Sequence, residues 1–167
     1  RVFDIGKAGA QHFAQIMRGH VGRHPDRDPA IGALVAVAPP ERLAHWLSTR
    51  GYLPEGVPLL KHVAAKAGQR TCRIGDAVSV DGRRVAIARA RDGQGRPLPV
   101  WQGCRTLRSG ELLLLNPAHP DSLDGRYFGP LPASAVIGRA TPLYLRAPSP
   151  SPSTPEAKEI GHANQYL

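Results

Sequence analysis

The run Pro58-Leu-Leu-Lys61-His-Val-Ala-Ala65 decides how the chain is read. It is a short apolar stretch with one lysine inside it. Its length suits a strand better than a helix. Around it, 17 prolines and 18 glycines punctuate the 167 residues into brief segments, which favours strands and turns over a helix bundle. Residues 31–38, Ile-Gly-Ala-Leu-Val-Ala-Val-Ala, read as a buried strand. Residues 77–80 read as another. Asp81-Gly82 then makes a tight hairpin turn, with Val85 and Ile87 returning in alternation. Asp92-Gly-Gln-Gly95 is a second turn. Residues 111–115 form a buried strand, and residues 135–137 and 143–145 close the set. The one helix expected covers residues 41–50. Pro39 and Pro40 precede it, Leu43, Trp46 and Leu47 share a face, and Gly51 stops it.

Composition narrows the function. With 41% hydrophobic residues the chain is globular, and no stretch reaches the ~18 apolar residues of a membrane helix, so these residues are expected to be soluble. The start, Arg1-Val2-Phe3-Asp4, is neither a signal peptide nor an initiator Met, and is read as a trimmed end. The formal charge is +9, which raises nucleic acid or an anionic surface as a partner. The arginines are dispersed, however, and aromatics make up only 5%, too few for base stacking. The composition therefore reads against nucleic acid. Cys72 and Cys104 allow a disulfide, half of a metal site or two buried thiols. His20 and His24 stand at i, i+4, but Gly22 and Pro25 oppose a helix there, and solvent-facing histidines are expected. Residues 147–167 are Pro/Ser-rich and read as a flexible tail behind a domain of residues 1–146.

Two segments carry chemistry. Lys61 within an apolar strand either faces outward, which residue statistics favour, or is desolvated. Desolvation disfavours the ammonium and frees a neutral amine for general-base work. The second segment runs from Asn116 to Pro130 and holds Asp121, Ser122, Asp124, Arg126, Tyr127 and Phe128. A polar, charged and aromatic loop between strands is a site candidate, although an Asp–Arg pair can also serve only to pin a loop.

Taken in order, Gly56–Arg70, Val80-Asp-Gly, Gly95-Arg-Pro-Leu-Pro99, Ser109-Gly-Glu-Leu-Leu-Leu-Leu, Asp121-Ser-Leu-Asp-Gly-Arg-Tyr-Phe-Gly-Pro and Val136-Ile-Gly-Arg-Ala resemble the TraF-type conjugal-transfer peptidases. These are a branch of the signal peptidase family that uses a Ser/Lys dyad. The likeness spans residues 31–145, while residues 1–30 match poorly. It implies a mostly-β fold of coiled antiparallel sheets with one short helix. It also implies a serine endopeptidase that matures a conjugative pilin precursor without a cofactor or metal. Such an enzyme sits on the periplasmic side of the bacterial inner membrane, and its N-terminal membrane anchor lies outside this chain. Lys61 falls on the general base. Asp124, with Ser122 and Arg126, falls on the loop that supports it. An extracytoplasmic site in turn implies a Cys72–Cys104 disulfide.

The chain departs from the family at the nucleophile. The family's serine lies in a Ser-x-Pro-x-Gly-x-Tyr box before the first long strand, yet residues 1–47 contain no Ser, Thr or Cys. The nearest match, residues 15–21, puts Gln15 where the serine belongs and Met17 where the proline belongs. An amide cannot form an acyl-enzyme. Three explanations stay open: a non-catalytic member that binds its substrate as an assembly module, an aberrant N-terminal stretch, or a nucleophile from elsewhere such as Ser122.

Overall fold

The computed structural model describes residues 28–140. The expectations for Gln15, for His20 and His24, for the closing strand at 143–145 and for the tail fall outside them. Strands β1 (Leu34–Val37), β2 (Leu59–Ala65), β7 (Glu111–Leu115), β8 (Leu131–Pro132) and β9 (Val136–Arg139) form one antiparallel sheet in the order β8-β7-β2-β1-β9. Strands β3 (Arg70–Ile74), β4 (Ala77–Val80), β5 (Arg83–Ile87) and β6 (Gly103–Thr106) form a second, in the order β5-β4-β3-β6. Helix α1 (Glu41–Thr49) links β1 to β2, and a single turn, α2 (Gly125–Phe128), follows β7.

The run Glu111-Leu-Leu-Leu-Leu115 explains how the sheets share a core. A strand with one wet face alternates apolar and polar residues; one covered on both faces does not. Leu112 and Leu114 pack with Val35, Val37, Val63 and Val136 in one cluster. Leu113 and Leu115 pack with Ala65, Val78, Val80 and Leu107 in another, which joins the two sheets. A third cluster gathers Ala88, Leu98 and Tyr127, with Trp46 and Phe128 against them, and seats α1 beside α2.

The Asp81-Gly82 turn forms as read. Val80 pairs with Arg83, and both turn residues take positive φ, 49° and 81°, as a two-residue hairpin of this hand requires. Several boundaries differ from expectation. The first strand starts at Leu34, because Ala30 to Ala33 closes a turn through Gly32 at φ 84°. Strand β9 starts at Val136, one residue later than read, after a 3-10 turn over Ala133–Ala135. The segment from Asn116 to Pro130 is not all loop, since it contains α2. Strands β3 and β6 were not foreseen. Arginines at positions 70, 73 and 105 obscured both.

Cys72 and Cys104 face each other across β3 and β6 and are joined by a disulfide. The bond closes a loop with a sequence separation of 32. Chain-entropy reasoning gives about 3–4 kcal/mol for a loop of this size. Replacing both cysteines by serine is therefore expected to lower unfolding free energy by about that amount in urea titrations. An unchanged midpoint would show that β3 and β6 hold register without the bond.

Candidate functional site

Strand β2 carries Lys61 into the protein. The residue pairs with the buried Val35 of β1, and Val63 and Ala65 farther along the strand are buried with it. Lys61 is 8% exposed, which overturns the outward-facing orientation that residue statistics favour. Its Nζ donates to Ser122 Oγ at 2.8 Å. Burial is the main influence on this amine and lowers its pKa to about 8; Asp124 opposes that shift and Arg126 adds to it. At pH 7 about 10% of such an amine is neutral, against about 0.03% for an ordinary lysine. That roughly 300-fold gain is what a general base needs.

The loop that meets Lys61 is organised by one ion pair. Asp124 is the N-cap of α2 and accepts from the backbone N–H of Arg126 at 3.0 Å. Its second oxygen accepts from the backbone N–H of Asn116 at 2.8 Å. The Arg126 guanidinium binds both carboxylate oxygens of Asp124, through Nε at 3.0 Å and Nη2 at 2.9 Å. The same guanidinium donates to the carbonyls of Asn116, His119 and Pro120 at 2.8–2.9 Å. Both side chains are almost fully buried. Losing one partner of such a pair strands the other, a change that typically costs about 3–5 kcal/mol. The pair thus both pins the loop and sets the field around Lys61.

The two acids of the segment separate. Asp124 enters the site, whereas Asp121 pairs with Arg89 at 2.8 Å on a half-exposed surface. Tyr127 and Phe128 serve packing. Tyr127 Oη accepts from the Arg89 backbone N–H, and Phe128 meets Trp46 edge-on. Among the described residues, no cluster of three or more His, Cys, Asp or Glu side chains could hold a metal.

Gly125 is required by a close approach. A Cβ there would lie 2.7 Å from Leu113 Cδ1 and 2.8 Å from the Leu114 carbonyl oxygen. The sequence motif contains this glycine, but only the packing of α2 on β7 explains it. Two further residues escaped the sequence reading. Arg73 donates to the Arg126 carbonyl at 2.6 Å, and Trp101 Nε1 donates to the Gly125 carbonyl at 2.9 Å. Arg73 looked like one of the dispersed surface arginines. The available signal was its position between Cys72 and Ile74, in a stretch with strand character.

A family model described as "Signal peptidase, peptidase S26" matches residues 10–145. This chain belongs to the signal peptidase family, among its TraF-type members. A protein named "Probable conjugal transfer protein TraF" from Sinorhizobium fredii (strain NBRC 101917 / NGR234) is 40% identical over 133 residues, covering 74% of this chain and 69% of its own length. A "Conjugal transfer protein TraF" from Agrobacterium fabrum (strain C58 / ATCC 33970) is 37% identical over 128 residues, covering 70% of each. A solved signal peptidase I from Enterococcus faecalis V583 superposes with a TM-score of 0.40 at 18% identity, over 68% of this chain and 97% of that one.

Two outcomes test this geometry. Gly125→Ala is expected to destabilise the fold by about 1–3 kcal/mol, because a backbone oxygen cannot move aside. Equal urea midpoints for the variant and the parent would refute the close approach. The lowered Lys61 pKa also ties stability to pH. The unfolded lysine keeps its proton up to about 10.5, whereas the folded one loses it near 8. Between those values the unfolded state binds more protons, so stability rises with pH. Relative to Lys61→Met, the parent is expected to gain up to about 3 kcal/mol from pH 8 to 10.5. Parallel stability curves across that window would contradict a desolvated amine.

Proposed function

We propose that this chain acts in conjugative transfer as a signal-peptidase-type acyl-transfer enzyme on a pilin precursor, at the periplasmic face of a bacterial inner membrane. The observation that carries the reading is the buried Lys61 amine, bonded to Ser122 and poised near pKa 8. A buried lysine at neutral pH costs stability. A protein that only binds has no use for it, whereas a hydrolase does. The family's relatives are named for conjugal transfer, which points the substrate class toward the conjugation machinery. No helix among the described residues is long and apolar enough to cross a membrane, so anchoring would fall to a segment outside them.

In the proposed reaction, neutral Lys61 accepts the proton of a hydroxyl nucleophile. The freed oxygen attacks the scissile carbonyl, while backbone amides hold the oxyanion. The lysine then passes its proton to the leaving amine, and an ester-linked acyl-enzyme remains. Water resolves it by hydrolysis, or the substrate's own amine resolves it by ring closure. Among the described residues, Ser122 is the hydroxyl that Lys61 holds. Gln15, in the family's nucleophile position, cannot perform this step.

That departure favours a second reading, a pilin-binding assembly module without turnover. Incubating the chain with a pilin precursor separates the two. The enzyme reading expects cleavage that disappears in Lys61→Ala and whose rate climbs as pH rises toward 8, since the base is the neutral amine. Saturable binding with no acylated species by mass spectrometry would replace it with the module. If cleavage persists in Ser122→Ala at reduced rate, Ser122 supports the base; complete loss together with loss of the acylated peptide at residue 122 makes it the nucleophile.

A further inference from the structure

Two side chains from outside the 116–129 segment hold its backbone. Arg73, on β3, is 3% exposed. Its guanidinium donates to carbonyls of Arg126 at 2.6 Å, Pro99 at 3.3 Å and Gly75 at 3.3 Å. Trp101, just before β6, donates to the Gly125 carbonyl at 2.9 Å. Gly125 and Arg126 both lie in α2, a single turn: the Gly125 carbonyl accepts from the Gly129 N–H at 3.1 Å, while Pro130 has no N–H to offer the Arg126 carbonyl. The guanidinium supplies the partner of the Arg126 carbonyl, and the indole N–H adds a second donor to the Gly125 carbonyl.

The chemistry of Arg73 is informative. Burial lowers its pKa, so its charge is held there against desolvation. None of its hydrogen bonds goes to a carboxylate. A methionine or leucine would fill the same space without that penalty. What the guanidinium adds is directional: donors that fix where the Arg126 carbonyl lies. The disulfide ties β3, which carries Arg73, to β6, which Trp101 precedes: Cys72 is next to Arg73, and Cys104 is three positions after Trp101. On the other side of the contact, α2 begins at its N-cap Asp124, and Ser122 is two residues earlier.

We propose that Arg73 and Trp101 are positioning residues for Lys61, clamping α2 from the second sheet so that Asp124 and Ser122 stay against the amine. The proposal rests on reading Lys61 as the base of the site, but the clamp itself is measurable without turnover. Lys61 is faced by the charges of Asp124 and Arg126 and by the Ser122 hydroxyl. Releasing α2 lets water reach the amine. Burial is the dominant influence on it, so its pKa moves up.

The test is the titration midpoint of Lys61 in the full chain, read by NMR on lysine labelled with carbon-13 at Cε and assigned with Lys61→Ala. Trp101→Phe keeps an aromatic ring and removes the donor. Arg73→Met removes the charge and donors, and Arg73→Lys keeps a charged donor. Trp101→Phe and Arg73→Met are expected to raise the midpoint by about one pH unit or more, a tenfold loss of neutral amine at pH 7. Arg73→Lys is expected to stay near the parent. A merely structural role lowers the melting temperature and leaves the midpoint in place. Trp101→Phe that is folded by circular dichroism yet keeps the parent's midpoint overturns the clamp, whether or not Arg73→Met folds. Arg73→Lys shifting as far as Arg73→Met overturns the donor role. A chain that shows the shifts but cleaves no pilin precursor keeps the clamp and loses the enzyme reading; one that cleaves with its midpoint unmoved does the reverse.

Discussion

The site depends on one buried ion pair. Asp124 and Arg126 are two residues apart, yet between them they bind the backbone of residues 116, 119, 120 and 126. A nine-residue excursion after β7 would otherwise leave those carbonyls and amides to solvent. Gathered onto a carboxylate and a guanidinium, they hold a fixed shape beside β2. Every buried polar side-chain atom among the described residues has a partner, which is the condition for such a network to be rigid. Were the network loose, Ser122 would have no fixed place and Lys61 no fixed partner.

The consequence for Lys61 is electrostatic as much as geometric. A lysine in an apolar strand with no counter-charge would be driven far toward neutrality, and one fully paired with a carboxylate would stay charged. Here the carboxylate of Asp124 is shared with Arg126, so it only partly offsets burial. The result is an amine near pKa 8, able to take a proton and to give it back. An acyl-transfer base has to do both.

Much of this was legible in the sequence. The Asp81-Gly82 turn, the two-sided β7 run and the α1 periodicity each follow from local chemistry that the tertiary fold does not override. Lys61, Ser122, Asp124 and Arg126 could be named from the motif around them. The burial of Lys61 could not, because a lone lysine in an apolar strand faces outward more often than not, and only β1 and β7 on either side of β2 decide otherwise. Strands β3 and β6 were hidden by their arginines. Arg73 breaks the hydrophobic alternation because it binds carbonyls, and the shortest of those bonds goes to Arg126 on α2, more than fifty residues away in the chain. Long-range contacts of this kind leave no periodic trace.

Gly125 joins these strands of argument. The residue must be glycine because α2 lies directly on the Leu114 carbonyl. That contact fixes the helix from below, while Trp101 binds the carbonyl of the same residue from the other sheet. Asp124, immediately before it, therefore has its backbone held between two sheets before its side chain makes any bond. A carboxylate fixed in this way keeps its field on Lys61 constant. Catalysis by a preorganised charge asks for that order of construction, with the backbone immobilised first and the reactive group tuned by it.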